Sequence, residues 1–132
     1  MAIYLSRLLL DARVARVRRD LSDVYQLHRT ILAAFPQAPD GASARDHFGV
    51  LYRIEALDRD PWLFRLLVQS TVQPDWSRLP GHIFGPAPDE RGNPAVRRVD
   101  EDYARIKTGA RFFFRLRANP TRRLSNRTPG RD

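Results

Sequence analysis

Cysteine is absent from the 132-residue sequence, and lysine and methionine occur once each. Without cysteine there are no disulfides, no thiolate nucleophile and none of the softest metal ligands, a pattern that fits a reducing compartment. No apolar run approaches the ~20 residues needed to span a bilayer. Ser6 and Arg7 interrupt the first ten residues, where a signal peptide keeps an unbroken apolar core. A cytoplasmic location and no membrane partner are therefore expected. The three histidines, His28, His47 and His82, are far apart in sequence. There is no zinc-ligand pair spacing, no phosphate-cradling glycine loop and no Ser-His-Asp constellation, so no metal and no cofactor are expected. Asp100-Glu101-Asp102 is the one acidic cluster, and it reads as a helix start. The length suits one compact core and leaves no room for a second full domain.

Charge is plentiful, and it is uneven. Residues 1–96 carry 12 arginines and 11 acids, whereas residues 97–132 carry 11 basic residues and 4 acids, so +7 of the net +8 lies in the last 36 residues. Such clustering favours a polyanionic partner, because each neutralised phosphate releases condensed counterions. GC-rich coding could explain why 22 of the 23 basic residues are arginine. It does not explain why they cluster.

The hydrophobic pattern predicts a strand over residues 2–10 and a basic loop over residues 11–22 bearing Arg13, Arg16, Arg18 and Arg19. A helix is predicted over residues 24–35, because Asp23 with Gln26 three positions on has the form of a capping box and Pro36 stops it. Its core stripe would be Val24, Leu27, Ile31 and Phe35. Two strands, residues 48–57 and 62–72, follow as a hairpin, and the proline-rich residues 74–94 read as an irregular loop. A short helix over residues 98–108 and a last strand over residues 111–117 complete the order. Strand, helix, strand, strand, helix, strand is the βαββαβ or ferredoxin-like arrangement of the α+β class: a four-stranded antiparallel sheet with helices on one face. Residues 1–118 form this domain, and residues 119–132 a basic tail or truncated linker.

In the last strand Phe112, Phe114 and Leu116 share one face, while Arg111, Phe113, Arg115 and Arg117 share the other. One face can fill a core while the other meets phosphates, and a half-buried strand with a solvated outer face has the same pattern. The aromatic signature of RRM domains is missing, so arginines and loops, not a stacking platform, would hold RNA.

The segment Phe114-Arg115-Leu116-Arg117-Ala118-Asn119-Pro120 resembles a motif of the CasE family, the CRISPR RNA-processing endoribonucleases of type I-E Cascade. Tyr4-Leu5-Ser6-Arg7-Leu8, Asp23-Val24-Tyr25-Gln26-Leu27-His28-Arg29 and Leu67-Val68-Gln69-Ser70 resemble the same family, in the same order. The resemblance implies a RAMP-like N-terminal domain, with a second ferredoxin-like domain normally following. Nothing after Arg123 resembles that second domain. It also implies a CRISPR repeat RNA stem-loop and Cascade backbone subunits as partners. The reaction implied is metal-independent cleavage at the 3′ base of the stem-loop, leaving a 2′,3′-cyclic phosphate.

Residue spacing alone places Tyr25 and His28 about 60° apart around the helix, with Arg29 just beyond Tyr25. From that spacing alone, His28 reads first as a partly buried histidine satisfied by a backbone group. The resemblance implies Tyr25 and His28 as the catalytic pair. RNA contacts would come from Arg13, Arg16, Arg18, Arg19, Arg29, Arg111, Arg115, Arg117, Asn119, Arg122 and Arg123. His47 and His82 are expected at the surface. The alternative is a non-catalytic subunit that binds the RNA hairpin and docks into a Cascade complex.

Overall fold

The computed structural model describes residues 1–39 and 41–104. Strand β1 (Tyr4–Asp11) lies inside the sheet and pairs antiparallel along its whole length with β3 (Leu63–Ser70). β2 (Leu51–Ala56) forms the expected hairpin with β3, and β4 (Ala95–Arg98) pairs antiparallel with Tyr4–Arg7. The strand order is β2-β3-β1-β4. Both crossovers skip one strand, which gives the ferredoxin-like α+β sheet that the sequence implied.

The first crossover carries α1 (Ala15–Ser22), α2 (Val24–Leu32) and α3 (Ala44–His47). The second, expected to hold a helix, instead makes two 3-10 turns, Trp76–Arg78 and Gly81–Ile83, and buries Trp76, Leu79 and Ile83. Among the described residues the fourth strand, β4, precedes α4, which begins at Asp100. The expected strand over residues 111–117 lies outside the described residues, and the edge of β1 is already filled. Tyr4–Arg7 pair with β4, Leu10 bridges Phe84, and the Gly85 N–H donates to the Leu9 carbonyl. Between them the Asn93 side chain acts as a piece of strand: its Oδ1 accepts from the Leu9 N–H at 2.9 Å, and its Nδ2 donates to the carbonyls of Leu9 (2.9 Å) and Gly85 (2.8 Å).

Alternation decides the two sheet faces. Leu8, Leu10, Leu66 and Val68 point to one side and meet Val17, Leu27, Ile31 and Phe35 from the helical layer. α1 and α2 thus cover one face. α4 starts beyond β4, and its Tyr103 hydroxyl donates to Gln69 Oε1 at the end of the opposite face. Segment 11–22 is not a loop. Val14, Val17 and Leu21 recur at helical spacing, Val17 is buried, and the arginines occupy the other side. In α2 the predicted stripe holds for Leu27, Ile31 and Phe35, while Val24 is 73% exposed at the first helical position.

The β4–α4 corner is held by Asp100. Its Oδ1 accepts from Arg98 Nε at 2.6 Å and from the Ile3 N–H at 3.3 Å. The Arg98 guanidinium is the main cause that holds this carboxyl down at about 2. Its folded value lies below the unfolded one, so its stabilisation is present above pH ~4 and is lost as pH falls towards 2. Melting temperature measured against pH should decline in that window, and Asp100→Asn should flatten part of the decline. An identical acid slope in the variant would remove Asp100 from the account.

Candidate functional site

α2 is fixed at both ends before any chemistry is considered. At its start the Asp23 carboxylate accepts from the Tyr25 N–H at 3.0 Å, which satisfies one orphan donor of the first turn. The expected Gln26 half of the capping box is not formed. At its end the Asp75 N–H donates to the Ala34 carbonyl at 2.8 Å, and Arg78 Nη1 donates to the Phe35 carbonyl at 3.2 Å. These bonds turn Phe35 into the core beside Phe48 and Trp76. The helix therefore stops at Leu32, four residues before Pro36.

With Leu27 and Ile31 facing the sheet, Tyr25 is thrust outward at 81% exposure, Arg29 is exposed, and His28 is half-buried beside the core stripe. Among the described residues neither the His28 ring nor the Tyr25 hydroxyl has a hydrogen-bond partner. The reading of His28 as a histidine satisfied by a backbone group is not met there. His47 and His82 are exposed, as expected.

The four arginines of segment 11–22 are gathered on and before α1. Arg13 pairs with Asp11 at 2.9 Å, which holds the Asp11 carboxyl below the usual range through the Arg13 hydrogen bonds. Arg18 Nη1 donates to the carbonyls of Ala12 and Arg13, and among the described residues no carboxylate pairs with it. Arg19 pairs with Asp20, and Arg16 is half-buried with an Nε that meets no partner among the described residues. Arg111, Arg115, Arg117, Asn119, Arg122 and Arg123 lie outside the described residues.

Two features of the α1–α2 seam went unseen in the sequence. Asp20 is 3% exposed and Thr30 is 5% exposed, and the Thr30 hydroxyl donates to Asp20 Oδ2 at 2.8 Å. The available signal was Asp20 standing on the same stripe as Val17 and Leu21. Among the described residues no group of three His, Cys, Asp or Glu side chains is placed to hold a metal ion, and no helix is long and apolar enough to cross a membrane.

A model of the CRISPR associated protein family matches residues 3–131. This chain belongs to that family. It is 35% identical over 127 residues to the CRISPR-associated endoribonuclease Cse3 of Thermus thermophilus, covering 93% of this chain and 51% of that one. The resemblance to CasE is thereby borne out, for the N-terminal part of such a protein. This CRISPR-associated chain spans about half the length of the curated relative it matches. Two solved structures share its fold. Thermus thermophilus Cse3 bound to an RNA representing a pre-cleavage complex is 26% identical, with a TM-score of 0.55 over 74% of this chain and 42% of the other. Cse3 bound to a 19-nucleotide RNA is 30% identical, with a TM-score of 0.51 over 64% of this chain and 40% of the other.

Proposed function

We propose that this chain is the RNA-processing part of a CasE-type endoribonuclease, acting on a CRISPR repeat stem-loop at its 3′ base. The ribose 2′-hydroxyl attacks the adjacent phosphorus in line and loses its proton, while the 5′-oxygen of the next nucleotide leaves and takes one up. The products are a 2′,3′-cyclic phosphate and a 5′-hydroxyl. Because the nucleophile belongs to the RNA, the protein has to supply alignment, proton transfer and cations for the phosphorane charge. His28 transfers the proton. Tyr25 aligns the ribose or serves the second proton, and Arg29 with the α1 arginines offsets the charge. Cascade backbone subunits are the proposed protein partners.

The observation that carries this reading is the pairing of a half-buried His28, without a hydrogen-bond partner among the described residues, with an exposed Tyr25 on a helix pinned at both ends. The names of the relatives agree with it. Repeat RNA incubated with the chain in excess chelator should be cut once, at the hairpin base, and end analysis should find a cyclic phosphate. Cleavage that needs added magnesium, or products with a 5′-phosphate, would refute the mechanism.

A second reading has the chain hold the hairpin without cutting it. Salt-sensitive retention of intact RNA in the same assay would select that reading.

A further inference from the structure

Asp20 is the one charged residue fully buried among the described residues, and the chemistry proposed above does not use it. A carboxylate taken out of water costs several kcal/mol unless it is paired and hydrogen-bonded, and an apolar pair of similar volume is often at least as stable in its place. The seam around it, Val17 against Leu27 and Ile31, is otherwise apolar. What a buried charge does well is fix geometry.

The geometry fixed here is that of a guanidinium. Asp20 Oδ2 accepts from the Thr30 hydroxyl of α2 at 2.8 Å, and Oδ1 accepts from both Nε (3.3 Å) and Nη2 (3.0 Å) of Arg19. These bonds use the Nε side of the Arg19 fork. The Nη1–Nη2 edge keeps its remaining N–H groups, meets no other partner among the described residues, and belongs to a side chain 52% exposed. An outward edge of this kind can bind a phosphate through two parallel hydrogen bonds. Around the axis of α2, Thr30 follows Tyr25 and Arg29 on the flank away from His28, so α1 packs on the Arg29 side. The held edge of Arg19 thus extends the basic strip from Arg29 onto α1.

We propose that Asp20 is a positioning residue for RNA. It locks the Arg19 guanidinium to α2 so that its outer edge takes one backbone phosphate, in fixed register with the Tyr25–His28 flank. This rests on the RNA-processing reading, and it assigns a role to a residue that touches no RNA itself.

The experiment measures binding of the full 132-residue chain to a repeat hairpin made uncleavable by a 2′-deoxy substitution, across a salt series. Arg19→Gln should lower the slope of log K against log salt by about one and weaken binding roughly fivefold, the loss of one phosphate contact. Asp20→Asn should give the same loss of slope. The double variant should be no worse than Arg19→Gln alone, since both changes remove one contact. With cleavable RNA, KM should rise while kcat holds.

A purely structural Asp20 would lower the melting temperature and leave the slope untouched, and that result overturns the proposal. An unchanged slope in Arg19→Gln, an exposed change that folds whatever Asp20 does, overturns it as well. If the wild-type chain fails to retain the hairpin at low salt, the RNA-processing reading falls and takes this one with it. Wild-type binding with unaffected variants sinks only the role of Asp20.

Discussion

Replacing His28 with alanine should slow cleavage of repeat RNA by about 10²- to 10⁴-fold, the range for loss of a positioned proton-transfer group, while hairpin affinity changes less than about twofold. The prediction separates catalysis from folding because of where the ring sits. It is half-buried on the flank of α2, not in the Leu27–Ile31 stripe, and no hydrogen bond ties it to the protein among the described residues. Its removal leaves no buried donor or acceptor unpaired, so the melting temperature should fall by only a few degrees. Tyr25 is more exposed still, and Tyr25→Phe should cost rate with almost no cost in stability. A His28→Ala chain that cuts at the wild-type rate would end the catalytic assignment. One that neither cuts nor binds would mean that His28 supports the fold.

Asn93→Ala should destabilise the chain by about 3 kcal/mol, roughly 10 °C in melting temperature. Asn93 supplies the strand-like partner that no backbone supplies between β4 and Phe84. Without it the Leu9 N–H and the Gly85 carbonyl lose their partners, while the Leu9 carbonyl keeps only the Gly85 N–H. Asn93→Asp is the sharper control. It retains the acceptor for Leu9 but aims a carboxylate at two carbonyl oxygens, so at neutral pH it should be worse than alanine despite its near-identical shape. Thermal unfolding of the three proteins tests this, and an aspartate variant as stable as wild type would remove Asn93 from the account of the sheet edge.

Much of the frame was legible because it is written in short-range pattern. The β1 run, the hairpin spacing around Asp58-Arg59-Asp60-Pro61, the Asp23 cap and the Leu27–Ile31–Phe35 stripe each follow from local periodicity or turn chemistry. α1 was hidden because four arginines in seven residues, 13–19, mask three apolar ones, and an eight-residue helix has little intrinsic stability outside its packing. β4 is four residues long with no alternation of its own. It exists because β1 offers an edge and Asn93 starts the pairing, both of them long-range facts. The early end of α2 has the same origin, since the Asp75 N–H and Arg78 take up the carbonyls of Ala34 and Phe35, just past the helix, from forty residues away. At the site, the spacing of Tyr25 and His28 was visible in the sequence, and their lack of partners among the described residues was not. Asp20 did not stand out in its basic segment, because the identity of its partner, Thr30, depends on how two helices meet.

The double pinning of α2 also bears on how the molecule loses activity. An element that frays opens locally at little free-energy cost, and a site built on it fades gradually with warming. α2 cannot fray at its C-terminal end without breaking bonds to the 3-10 turn at Trp76–Arg78, nor lift from α1 without exposing the Asp20 carboxylate. Its opening is therefore tied to the opening of the whole core. Tyr25 and His28 ride on a platform that is either fully present or gone, so heat should switch the site off in a single step with the fold.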